Sequence, residues 1–370
     1  VDNFESFCKF RNVGMILDES VAIKNPETAM AKAFHKLAPL LKRRIIMTGT
    51  PVDNRPYDIW SQIYFLDLGA SLGTNFSEFK SKYDLNKDLA DSQIMQEIFE
   101  KDLHELKNSI SDFTIRETKQ TCKIELPNKE FKKIELNFES NQKLLYDKVQ
   151  SEIAIELVRD GQNVTEYLDF IIVRLLRLIQ VSANPIGYDE SYAHESPKLI
   201  ALKNLINEIP INEKIIVWTH FKKTSAYLER MIESSECLHG EKSLDERNRI
   251  INSFKKDDSK RILIATYGTA KEGLTLTIAN HAIYYERNFS LADYLQSQDR
   301  IHRISQDKVS YIYNLVIKSS IEEWVEALVH AKHMAASFVQ GDISKEEFNE
   351  NINYNFNEML QEILGIKNVR

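Results

Sequence analysis

The chain has 370 residues, 43% of them apolar, and a formal net charge of −7. That is enough for two or three packed domains, and the acidic balance excludes indiscriminate nucleic-acid binding, so any such contact must be a local basic track. Cys8, Cys122 and Cys237 are far apart and form no Cys-x-x-Cys pair, which excludes a disulfide framework or a zinc site and fits a reducing compartment.

No apolar run reaches the length of a membrane span, and the first residues lack a basic-then-apolar pattern. In chain order, residues 13–18 form a short apolar run ending in Asp18-Glu19, consistent with a buried parallel strand that ends in acids. Residues 29–41 carry helical spacing and 44–48 read as the next strand, which together predict a βαβ unit. The turn Thr48-Gly49-Thr50-Pro51 follows. Residues 57–68 form an apolar helix stripe expected in a core, and 72–114 are polar with a helical pattern. Residues 126–138 alternate as an extended strand, 141–158 and 167–181 are helical, and Ser196-Pro197 starts another helix. Strands are then predicted at 214–218, 237–238, 261–266, 282–285 and 309–316, with helices at 221–232, 244–254 and 291–304 between them. Short apolar strands alternating with helices predict a parallel sheet covered on both faces. The tail, 321–338 and 345–364, reads as two amphipathic helices.

Chemistry concentrates in two places. Arg300 and Arg303 stand three apart in the run 296–306, a spacing that puts both on one helix face within reach of a single polyphosphate. Such an arginine finger needs a partner element that carries Mg²⁺ and orients water, and Asp18-Glu19 offers one. Taken alone, Asp18-Glu19 is more often a solvated strand end than a catalytic site, and two arginines so spaced are more often a surface ion-pair face, here beside Asp299.

Order and company favour the first reading. Asp18-Glu19-Ser20-Val21 with the following Ile23-Lys24-Asn25, Thr48 to Asn54, Lys214 to Phe221, Ile262 to Thr277 and Gln296 to Gln306 are similar, in sequence, to motifs II, III, IV, V and VI of the Swi/Snf-like ATPases, superfamily-two helicase relatives that translocate on duplex DNA. The resemblance runs from about Val13 to about Ile321. It implies an α/β fold of two RecA-like lobes, the first only partial, with helical insertions and C-terminal bracing helices. The implied divisions are the end of the first lobe at 1–70, a helical protrusion and hinge at 71–125, the second lobe at 126–318 with an insertion at 140–185, and C-terminal helices at 319–370.

The same resemblance implies ATP and Mg²⁺ as cofactors and double-stranded DNA, held by its backbone, as partner. Asp18 would hold the metal, Glu19 would position water, and Arg300 and Arg303 would meet the transition-state charge. Gly273 and Gln296 would serve the nucleotide side, with Gln296 orienting the finger helix. Thr219, His239, Gly240, Thr266 and Lys271 would face DNA phosphates, and Thr48, Gly49 and Thr50 would couple the two events. Val21 stands where the family usually carries a histidine that links the ATP site to motif III, and Arg116 is the single arginine of a hinge usually written with two. No glycine is followed by lysine, so the chain lacks the Gly-Lys-Thr or Gly-Lys-Ser phosphate loop. A truncated chain is expected, completed in cis by a missing N-terminal half-lobe or by a partner chain. The alternatives are a binding remnant without hydrolysis and a strand-separating helicase. The compartment expected is the cytoplasm of a bacterial or phage-infected cell, or the nucleus of a eukaryote.

Overall fold

The computed structural model describes residues 2–49, 51–52, 56–83, 93–115, 117, 121–159, 168–270, 273–340, 342–343 and 347. Its chain divides into two compact units, Val1–Arg116 with Val329–Phe356, and Glu117–Leu328 with Asn357–Arg370.

In the first unit, helix α1 (Asp2–Phe10) precedes strand β1 (Gly14–Asp18), helix α2 (Ala29–Leu37) and strand β2 (Arg43–Met47). β1 and β2 pair in parallel, Asp18 opposite Met47. This is the βαβ unit the periodicity predicts. Thr28 caps α2, its hydroxyl accepting the Ala31 N–H at 3.2 Å. Helices α3 (Trp60–Asp67), α4 (Phe76–Lys82) and α5 (Gln93–Ser111) follow. One face of the two-stranded sheet, Met15, Leu17 and Ile46, packs on a cluster of Cys8, Ile23, Ala31, Ala38, Leu41 and Phe65. The opposite face leaves Ile16, Ile45 and Met47 exposed.

The second unit holds strand β3 (Lys129–Leu136), helices α6 (Ser140–Arg159), α7 (Leu168–Ala183), α8 (Pro185–Tyr188) and α9 (Pro197–Glu208), then β4 (Lys214–Thr219), α10 (Lys222–Met231), β5 (Ser235–Leu238), α11 (Leu244–Lys256), β6 (Ile262–Thr266), α12 (Tyr267–Ala270), β7 (Ala279–Tyr284), α13 (Leu291–Gln298) and β8 (Ser310–Ile317), together with the start of α14 (Ile321–Gln340), a helix that is counted with the first unit from Val329 on. Ser196 caps α9 with Pro197 at its first position, as that dipeptide predicts. The six strands run parallel in the order β3-β8-β7-β4-β6-β5.

Alternation fills two cores from one sheet. Ile215, Val217, Ile262, Ile264, Ile283 and Leu315 pack against α9 and α10 on one side. Ile216, Trp218, Leu263, Ala265, Ala282 and Ile312 pack on the other against Ile250, Ile251 and Phe254 of α11. The reading of a doubly covered parallel sheet holds here for the reason given: its strands are continuous apolar runs. β4 lies between β6 and β7, so the chain's progress across the sheet reverses there, and the C-terminal strand ends beside it are where α/β folds place ligands.

Two elements differ from their sequence reading. The finger helix, expected over 291–304, stops at Gln298 with Asp299 as its C-cap. Tight turns replace it: Arg300 N–H donates to Ser297 O at 3.3 Å, and Gln306 N–H to Arg303 O at 2.8 Å. α1 was not foreseen, because it lies before the first motif and its Phe4, Phe7 and Phe10 stay exposed. The second tail helix, 345–364, lies outside the described residues. Among the described residues no helix is long and apolar enough to cross a membrane.

Candidate functional site

Asp18 ends β1 exposed, and its Oδ1 accepts the Glu19 N–H at 3.0 Å. Glu19 follows in the left-handed region, φ 51° and ψ 51°. That conformation costs a non-glycine residue about 1 kcal/mol and recurs where a side chain must be aimed. The β1–β2 register sets Asp18 opposite Met47, hence beside Thr48 and Gly49. Thr50 lies outside the described residues.

The turn after Glu19 and the turn after Gly49 meet on α3. Ser20 is buried and donates to Gln62 Oε1 at 2.8 Å, while Gln62 Nε2 donates to Pro51 O at 2.8 Å and Asp58 O at 3.0 Å. Ser61, beside it, donates to Ile23 O at 2.5 Å. His35 Nε2 lies 2.9 Å from Ser61 O, and burial holds that imidazole below its usual pKa. The stripe at 57–68 is core as read, with Trp60, Ile63 and Phe65 buried. Two of its polar residues, Ser61 and Gln62, were the available signal for this network, which the apolar pattern does not reveal.

In the second unit the arginines converge on one segment. Arg300 Nη1 donates to Leu274 O at 3.4 Å, and Leu276 N–H to Arg300 O at 2.9 Å. Arg303 Nη1 donates to Thr275 Oγ1 at 3.1 Å and Gly273 O at 3.5 Å, and its Nε to Asp299 O at 2.9 Å. Arg300 is 5% exposed, whereas Arg303 is half-buried. Gly273 has φ +70°, which suits glycine, and a Cβ built on it meets nothing within 4 Å.

Gln296 lies half-buried on α13. Two other glutamines organise the turn. Gln306 Nε2 donates to Thr277 O, Ala279 O and Ile301 O at 3.2, 3.0 and 2.8 Å. Gln298 Oε1 accepts from Lys129 Nζ at 3.1 Å, and His302 Nε2 lies 2.8 Å from Pro127 O. All three stand inside the run 296–306, which was the available signal.

Thr219 and Thr266 end β4 and β6 opposite each other, and His239 and Gly240 follow β5, which pairs with β6. These four therefore share the C-terminal edge of neighbouring strands. Thr219 is buried and donates to Phe221 O at 3.0 Å, and Thr266 is 8% exposed. His239 is half-buried, burial lowers its pKa, and its Nδ1 has no hydrogen-bond partner among the described residues. Exposed Lys222 and Lys223 follow β4 and half-buried Lys242 follows β5, Lys222 paired with Glu241. Lys271 lies outside the described residues. Glu286, just after β7 and buried, accepts the His220 and Phe221 N–H groups at 2.9 and 3.2 Å, and burial raises its pKa to about 7. It went unread because nothing in its sequence neighbourhood distinguishes it from a solvated acid. A cavity of about 550 Å³ beside the ends of β3 and β8, lined by Phe138, Lys143 and Lys318 among others, contains none of the candidate residues.

Two family models match: the SNF2-related domain over residues 3–186 and the helicase conserved C-terminal domain over 197–305. The Bacillus subtilis protein YwqA, assigned as an ATP-dependent helicase/translocase, is 28% identical over 85% of this chain and 34% of its own length. An uncharacterised ATP-dependent helicase of Mycoplasma genitalium is 28% identical over 84% of this chain and 29% of its own. The chain thus spans about a third of the length of these curated relatives. The Sulfolobus solfataricus SWI2/SNF2 ATPase core in complex with dsDNA aligns over 96% of this chain and 73% of that one, with 26% identity and a TM-score of 0.49. With the two models matched in order from residue 3 to residue 305, beside relatives of the same kind, this chain belongs to the Swi/Snf-like family of ATP-dependent helicase relatives.

Proposed function

We propose that this chain is part of a DNA-dependent ATPase that moves along duplex DNA. The observation that carries the reading is the seating of Arg300 and Arg303 on Gly273–Thr275, which holds two guanidinium groups on one glycine-bearing turn. The arginines stand in the second unit and the carboxylates in the first. Asp18 suits Mg²⁺: it is an exposed carboxylate at a strand's end, and Mg²⁺ takes one or two such oxygens with phosphates and waters rather than a full protein cage. The metal, when bound, supplies charge neutralisation at the phosphates; Glu19, aimed by its left-handed backbone, positions the attacking water.

The phosphate-binding loop comes from outside these 370 residues, in cis or on a partner chain. DNA lies along the strand ends of Thr219, His239, Gly240 and Thr266, with Lys271 and the neighbouring lysines meeting phosphates. Such contacts are independent of sequence and weaken steeply with salt. Thr48, Gly49 and Thr50 relay between the nucleotide and the DNA.

The test supplies the phosphate loop and measures ATP hydrolysis with and without duplex DNA. Stimulated turnover is expected, without strand displacement. Arg303→Ala is expected to lower kcat on the order of 10³-fold with DNA affinity kept. Unchanged turnover in both Arg300→Ala and Arg303→Ala overturns the finger assignment. Strand displacement by the wild type overturns translocation without unwinding.

A further inference from the structure

The turn after the acid-bearing strand end of β1 and the Thr48–Pro51 turn after β2 are both tied to one buried side chain of α3. We propose that Gln62 is the positioning residue that makes this link, joining Ser20 on one side to Pro51 on the other. The proposal rests on the ATPase reading above, and it assigns the relay within that site.

The amide is fully engaged. Its oxygen takes the Ser20 hydroxyl at 2.8 Å, and both its hydrogens go to carbonyls, Pro51 O at 2.8 Å and Asp58 O at 3.0 Å. Two carbonyls cannot face an amide oxygen, so the orientation is fixed by its partners. Gln62 and Ser20 are 0% and 1% exposed. A shift of Ser20 therefore has no water to absorb it and must be passed through Gln62 or leave a buried group unpaired. Ser20 follows Glu19 directly, and Pro51 closes the turn that begins at Thr48. Ser61 adds a second tie, to Ile23 O, which fixes the same turn to α3.

The test uses Gln62→Leu, Ser20→Ala and the double variant, in protein supplied with the phosphate loop. Expected for Gln62→Leu is a roughly tenfold loss of DNA-stimulated turnover, with basal turnover and the KM for ATP within about twofold. Ser20→Ala is expected to act in the same direction, more weakly, and the double variant to lose no more than Gln62→Leu alone, since both remove one relay. Val21→His in the Gln62→Leu background is expected to restore part of the stimulation, which a packing role does not predict. Full stimulation in Gln62→Leu, or additive losses in the double variant, overturns the proposal. If Gln62→Leu does not fold by thermal melting, Ser20→Ala decides by the same ratio. If the wild type shows no DNA-stimulated hydrolysis, the functional reading fails, and amide exchange of this chain decides on Gln62. Faster exchange in both 18–24 and 47–52 on Gln62→Leu supports the link, and a change in one segment alone overturns it.

Discussion

The two sheets of this protein are both parallel and both built on short apolar runs, yet they are covered differently. In β1 and β2 alternate residues face solvent, with Ile16 61%, Ile45 50% and Met47 48% exposed. In β4, β6 and β7 every residue is buried. Parallel strands with continuous apolar runs are built to be covered on both faces. The second unit meets that requirement within its own helices, and the first meets it on one side only. Among the described residues the first unit thus carries the carboxylates on a sheet covered on one face, and the second unit carries the arginines beside a sheet covered on both.

The largest effect should come from charge rather than packing. Loss of the Arg303 guanidinium is expected to remove about 4 kcal/mol or more of transition-state stabilisation in the loop-supplied enzyme, read as kcat, with little change in melting because Arg303 is only half-buried.

Next in size is a buried ion pair that anchors α14 to the second sheet. Lys198, 0% exposed, donates to Tyr285 O, Leu315 O and Glu322 Oε1 at 2.5, 2.9 and 2.5 Å. Lys198→Met strands the Glu322 charge and should cost about 3–5 kcal/mol in denaturant unfolding, and Lys198→Met with Glu322→Leu should recover much of that loss. A single variant that unfolds at the wild-type midpoint removes the pair from the account.

Packing sharpens the contrast between the sheets directly. Leu263→Ala, in the fully buried centre of β6, is expected to cost about 2–5 kcal/mol. Ile45→Ala on the open face should fall within about 0.5 kcal/mol. Equal costs would mean that the two faces are covered alike.

A smaller signal is the pH dependence of Glu286. Its folded pKa, about 7, lies above the ordinary 4.5 because burial disfavours the anion, against the opposing effects of Lys198 and the His220 and Phe221 amides. The folded state therefore holds this proton where the unfolded state has lost it, and stability falls as pH rises from about 4.5 through about 7. His220, lowered by burial, acts in the opposite sense below 6.5. The wild type minus Glu286→Gln difference isolates the carboxyl, and should change by up to ~3 kcal/mol between pH 4.5 and 7.5. A flat difference curve rules out a buried titrating Glu286.

Most of the architecture was legible in the sequence, because apolar periodicity and strand-end chemistry are local. The runs at 214–218 and 261–266 had to be buried strands, Ser196-Pro197 had to start a helix, and Asp18-Glu19 had to end a strand. The helix expected over 291–304 was not legible in full. Helical spacing continues past Gln298, but Arg300 and Arg303 are drawn onto Gly273–Thr275, a contact across some 28 residues that no local pattern encodes. Gln62 and Glu286 were hidden for the same reason. A glutamine in an apolar stripe and an acid after a strand have unremarkable neighbours in sequence, and their partners arrive only when α3 meets the turns after β1 and β2, and when β7 meets β4. The sequence by itself determined the strands, the helices and the order of the motifs, since those follow from side-chain pattern. Only the tertiary structure decided which polar groups are shut away from water and must therefore find one another.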